Sequence, residues 1–145
     1  MKFNSNQAAK QPITLNFDDI KRLLLNPNEK EKNEYKTRFS IKVGSYLKLI
    51  SVDQIECVYS ENKGSYLHTK EGRNYLIDLT LEQLEFQLDP KVFFRVNRTF
   101  LVNIHAIKDM ISYTNSRLQI KMNSYQEQDI IVARERVKDF KNWLE

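Results

Sequence analysis

Phe93-Phe94-Arg95-Val96-Asn97-Arg98-Thr99-Phe100-Leu101-Val102-Asn103-Ile104 is the stretch on which the reading of this chain turns. Two apolar blocks, Phe93-Phe94 and Phe100-Leu101-Val102, flank a polar island of Arg95, Asn97, Arg98 and Thr99. Apolar blocks seek a core, at about 25 cal/mol per Å² buried, and hold the backbone firmly on either side of the island. The island is therefore expected to be displayed from a rigid base. Arg and Asn are suited to bidentate pairing with guanine and adenine edges, and Thr can bond a phosphate. On these residues alone, an ordinary strand–turn–strand with a solvated tip is the simpler reading.

Working outward, Thr37 to Ile77 alternates polar and apolar residues with period two, the signature of strands. The runs fall at 38–43, 46–50, 55–61, 66–70 and 73–77. The chain's three glycines, Gly44, Gly64 and Gly72, sit between these runs, where glycine supplies a positive φ without steric penalty. An antiparallel meander is predicted. Thr80 then opens a helix as N-cap, with Gln83 completing a capping box. Leu81, Leu84 and Leu88 form its core stripe, and Asp89-Pro90 ends it. Beyond the island, strands are predicted at 107–113, 117–122 and 129–132, with a turn at 114–116. A helix is predicted from Arg134 to Leu144, carrying a Val137, Phe140 and Leu144 stripe. The expectation is a mainly β domain of antiparallel strands in small packed sheets, about eight or nine in number, with two or three short helices.

Before Thr37 the texture differs. Residues 1–12 read as a polar tail, and Asn16-Phe17-Asp18-Asp19 caps a short helix at about 17–25 that stops before Pro27. Residues 26–36 read as a solvated connector. The division is thus 1–37, tail, helix and linker, and 38–145, the folded domain.

The composition excludes several classes. In 145 residues there is one cysteine, so no intramolecular disulfide framework forms, and a reducing cytoplasm fits. No apolar run of 18 residues crosses a membrane, and the polar N-terminus lacks a secretory h-region. The net charge of +4 divides evenly on either side of Thr37, so a nucleic-acid surface would need its cations gathered on one face. His68 and His105 have no ligand partners at metal spacing, and Cys57 sits on a strand as an inert thiol is expected to. No phosphate loop, nucleophile elbow or zinc motif occurs. Neither an enzyme, a metal nor a cofactor is expected.

Phe93 to Ile107, read through Ala106, resembles the signature of the LytTR (LytR/AlgR-type) DNA-binding domain. That signature has a Phe, an Arg two residues on, His or Asn, Arg, Ser, an aromatic, two aliphatics and Asn. Thr99 stands where serine is usual and Asn97 where histidine is commoner. The likeness extends from about Arg38 to Leu144. It implies a β domain that inserts loops into successive major grooves, as the output half of a two-component response regulator or as a stand-alone regulator. Residue by residue, it implies DNA contacts at Asn62, Lys63, Ser65 and Tyr66, at Asn97, Arg98 and Thr99, and at Arg134 and Arg136. Asn97 and Arg98 would read base edges. Lys63, Ser65, Thr99 and Arg136 would hold phosphates, and Arg134 could do either. Ala133 replaces the usual serine of the third loop, which removes one phosphate bond. Paired direct repeats in double-stranded DNA, a homodimer on that DNA, and a receiver domain or sensor kinase are the implied partners. The alternative is a β-rich protein-interaction module, using exposed edge strands or apolar residues such as Trp143.

Overall fold

Strand β3 (Ile55–Glu61) lies in the middle of the fold, with five consecutive buried residues at its start. The computed structural model describes residues 35–145, so the tail and the helix expected at 17–25 lie outside the described residues. Around β3 a five-stranded antiparallel sheet runs in the order β5-β4-β3-β7-β6. Its other members are β4 (Gly64–Thr69), β5 (Asn74–Ile77), β6 (Phe93–Arg95) and β7 (Phe100–Asn103). Both sheet faces are covered, so the start of β3 is buried on both sides, Glu56 included, rather than on alternate residues.

A bulge between Ile55 and Cys57 resets the alternation along β3. Ile55 and Val58 therefore enter one core, while Cys57 and Tyr59 enter the other. The first core is roofed by the hairpin of β1 (Arg38–Val43) and β2 (Tyr46–Ser51) and by helix α1 (Leu81–Gln87). Phe39, Ile41, Ile50, Leu81, Leu84 and Leu88 pack there. The second is covered by a sheet of β8 (Ile107–Tyr113), β9 (Arg117–Met122) and β10 (Ile130–Ile131), and by helix α2 (Val137–Leu144). Tyr59, Phe100, Ile120, Tyr125, Val132 and Phe140 pack in it. The fold is mainly β, in small antiparallel sheets.

The capping box forms as expected: Gln83 N–H donates to Thr80 Oγ1 at 3.1 Å, and Thr80 N–H donates to Gln83 Oε1 at 2.9 Å. Three local expectations need correction. Gly44 and Gly72 take positive φ, but Gly64 does not; Asn62 and Lys63 carry the two left-handed residues of that hairpin instead, a type I′ arrangement. At 64 a Cβ would stand 3.0 Å from Leu76 Cδ1, so the exposed Leu76 side chain would have to give by a few tenths of an ångström. Among the described residues ten strands form rather than eight or nine: to the eight periodic runs are added β6 and β7, only three and four residues long, which the two apolar blocks beside the island form against neighbouring strands. Finally, Arg134–Arg136 makes a 3-10 turn before α2 begins.

Candidate nucleic-acid interface

The three segments singled out by sequence meet at one end of the central sheet, joined by backbone hydrogen bonds. The β3–β4 turn carries Asn62 and Lys63, both exposed. Beside it, Ser60 N–H donates to Thr99 O at 3.0 Å, fixing that hairpin against the β6–β7 turn. On the far side of the β6–β7 turn, Ala133 N–H donates to Val96 O at 2.9 Å. The corner leading into α2 is thus tied to the same base. Val96, Phe100, Leu101 and Val102 are fully or nearly fully buried, so the island does stand on a rigid footing.

Within that cluster the side chains divide. Lys63, Arg98, Thr99 and Arg134 are exposed. Arg98 and Arg136 line a cleft of about 250 Å³ together with Glu85, Arg95, Asn97, Ala133 and Glu135. Arg136 is half-buried, its guanidinium lying 5.0 Å from the centre of the Phe94 ring, and its Nε is buried without a hydrogen-bond partner. Tyr66 is half-buried and stacks on Tyr59 at 5.3 Å. It also helps line a larger cleft of about 810 Å³ beside Asn62 and Lys63, walled by Leu47, Leu76 and Gln83.

Four side chains depart from their expected parts. Arg95 is not displayed. Its side chain is 14% exposed and is paired with Glu85 at 3.2 Å and Glu82 at 3.4 Å, both on α1. Asn97 is engaged internally. Its Nδ2 donates to Ile131 O at 2.8 Å, and its Oδ1 accepts from Thr99 N, Thr99 Oγ1 and Phe100 N at 2.8, 3.1 and 2.9 Å. An amide so occupied would have to break these bonds to read a base edge. Ser65 is buried in β4, because a residue one place past the turn already belongs to the sheet, rather than exposed at the hairpin tip. Trp143, taken as an exposed apolar residue, packs on Phe94 and Phe140, and its Nε1 donates to Pro90 O at 2.7 Å.

Sequence reasoning missed Glu82, Glu85 and Glu135. The first two lie three apart on α1, along one border of the leucine stripe, which is the available local signal for an acid pair awaiting a cation. Glu82 is held below the ordinary carboxylate range, first by its own backbone N–H and then by Arg95. The buried histidine is structural: His68 Nδ1 pairs with Asn74 Oδ1 at 2.7 Å and Nε2 with Ser124 Oγ at 2.9 Å.

Comparison with known proteins agrees with this architecture. The family model for the LytTr DNA-binding domain matches residues 45–145. Among curated relatives, the heme-containing CO-sensing transcriptional regulator RcoM 2 of Paraburkholderia xenovorans is 29% identical over 108 residues, 73% of this chain and 40% of that protein. The sensory transduction protein LytT of Bacillus subtilis is 26% identical over 117 residues, 80% of this chain and 48% of that one. The chain spans half or less of the length of these relatives. A solved LytTr DNA-binding domain, from a Bacillus cereus protein described as a methyl-accepting/DNA response regulator, superposes with a TM-score of 0.67. It is 20% identical, and the match covers 75% of this chain and 97% of that domain, a likeness of fold. No described helix is long and apolar enough to cross a membrane.

Proposed function

The chain belongs to the LytTr DNA-binding domain family, and from that premise we propose that it is the output part of a bacterial response regulator that reads operator sequence in double-stranded DNA. The observation that carries this reading is the convergence of three turns on one end of the sheet through Ser60–Thr99 and Val96–Ala133 backbone bonds. Cations at Lys63, Arg98, Arg134 and Arg136 are gathered there from three distant parts of the chain, as a surface of modest net charge requires.

The roles follow from exposure. Arg98, at an exposed tip with a free guanidinium fork, suits bidentate contact with a guanine edge. Lys63, Thr99 and Arg136 suit phosphates, and Arg134, beside the cleft, suits either. Asn62 shares the turn with Lys63, and Tyr66 lines the cleft beside both. Asn97 and Ser65 take no direct part. Residues 38–145 constitute the DNA-binding region and 1–37 its connector. Paired direct repeats, a homodimer on DNA, a receiver or kinase partner and a cytoplasmic site of action belong to the same proposal.

The test is fluorescence anisotropy against a duplex selected by the wild-type chain from a random pool, with a scrambled control. Arg98→Ala should lose about 1–3 kcal/mol on the selected duplex and far less on the control, whereas Lys63→Ala should weaken both and lower the salt slope by about one. Equal losses on both duplexes for Arg98→Ala would refute base reading. The protein-interaction alternative now rests on Leu47 and Leu49 of β2, 74% and 67% exposed, rather than on Trp143. Its signature would be salt-insensitive binding.

A further inference from the structure

We propose that Arg95 and Asn97 are positioning residues that weld the Arg98–Thr99 tip and the Ala133–Arg136 corner into one rigid reading head, with α1 as its anchor. This rests on the DNA-binding function above and says how its specificity is held. Arg95 opens the polar island, yet its cation is turned inward. Its Nε donates to Asn97 O at 2.9 Å and its Nη2 to Arg98 O at 2.6 Å. The remaining guanidinium bonds go to Glu85 and Glu82 on α1. Four bonds, to two consecutive carbonyls and two carboxylates, occupy most of the five donors such a group owns. A planar fork can hold two adjacent carbonyls at once, which an ammonium group cannot do in fixed geometry. The backbone that presents Arg98 is therefore gripped from inside.

Asn97 completes the clamp sideways. Its Oδ1 gathers the N–H groups of Thr99 and Phe100, shaping the tip, while its Nδ2 reaches across to Ile131 O. Ile131 lies two residues before Ala133, which itself donates back to Val96 O. The tip and the corner are thus cross-linked by one side-chain and one backbone bond, and Asn97 and Ala133 both line the cleft that also takes in Arg98, Glu135 and Arg136. Base reading needs placement to within roughly 0.5 Å, with the first contact residue held by locked neighbours. Arg95 and Asn97 supply that lock without touching DNA themselves.

The experiment measures Kd for the selected and scrambled duplexes as a function of salt, for wild type, Arg95→Gln, Arg98→Ala and the double variant. Arg95→Gln should lower the selected-to-scrambled affinity ratio roughly tenfold or more. Its salt slope should be unchanged, because no phosphate contact is lost. The double variant should discriminate no worse than Arg98→Ala alone, since Arg95 acts through Arg98. Arg95→Lys should fail to restore the ratio, although it keeps the charge. An unchanged ratio, additive losses, or a salt slope lower by about one in Arg95→Gln would each overturn the positioning role. If Arg95→Gln does not fold by circular dichroism, the Glu82→Gln/Glu85→Gln double variant carries the test. It should lower the ratio in the same direction, and no change would overturn the proposal. A wild-type chain that cannot distinguish the duplexes would overturn the DNA-reading function itself, and this inference with it.

Discussion

Replacing Glu56 by alanine should unfold the protein at markedly lower denaturant. Glu56 is 1% exposed, and its carboxylate is filled by backbone donors from the β9–β10 connection. Ser124 N–H donates to both oxygens, at 3.0 and 2.9 Å, and Tyr125 N–H donates to Oε1 at 2.8 Å. Truncation leaves two backbone donors without their acceptor. Each buried orphan costs about 1–3 kcal/mol, so the loss is about 2–6 kcal/mol. The damage spreads through Tyr125, whose ring packs 5.2 Å from Tyr59, 5.6 Å from Phe100 and 5.0 Å from His68. Glu56→Gln keeps a carbonyl where Oε1 accepts both donors and loses only the second branch from Ser124, so it should cost about 1–2 kcal/mol. Urea unfolding followed by the single tryptophan is the assay, because Trp143 packs in the same core through Phe94 and Phe140. For a domain of this size the alanine variant should lose roughly 10–20 °C in Tm. A loss below about 1 kcal/mol, or a glutamine variant as unstable as the alanine one, would refute the orphaned-donor account.

Two further predictions concern titration in the same core. Cys57 is buried, and burial, followed by the charges of Glu56 and Glu127, pushes its thiol well up. Iodoacetamide at pH 8 should therefore label the native protein slowly and the unfolded chain fully, and fast stoichiometric labelling of the native form would contradict its placement. Tyr59 is pushed up from 10 to about 12, chiefly by burial. A raised folded value means that the native state holds a proton the unfolded chain has released, so stability should fall as pH rises from about 10 towards 12. Urea midpoints across that window should decline less steeply for Tyr59→Phe, and identical slopes would remove Tyr59 from the account.

Much of the fold was legible because its signals are local. Alternation marked β1 and β9, and the Thr80–Gln83 box fixed the start of α1. The Asn115–Ser116 pair gave its turn, both residues taking positive φ. The location of the candidate site was legible for a similar reason, since two of its turns lie between strands and the third joins a strand to a helix. The division of labour within it was not. Nothing near Asn97 in sequence announces Ile131, 34 positions on, as the acceptor of its amide. Arg95 and Arg98 are alike as residues, and the acids of α1 that capture the first lie ten and thirteen positions upstream. Ser65 misled because hairpin tips and strand starts differ by one residue, and exposure changes completely across that step. Glu56 gave no signal at all, since its partners are backbone groups 68 and 69 residues away.

The bulge in β3 has a consequence for how this gene can change. Because Ile55 and Val58 serve one core while Cys57 and Tyr59 serve the other, a base substitution at any of these codons troubles one half of the protein at a time. An in-frame codon insertion or deletion beyond the bulge is different in kind, for a one-residue slip exchanges the faces of every side chain that follows it. Tyr59 would be thrown among the leucines of α1 and Val58 among the aromatic rings of the opposite core. Tolerated length changes should therefore collect in hairpin tips such as 114–116, while β3 should accept altered letters and never an altered count.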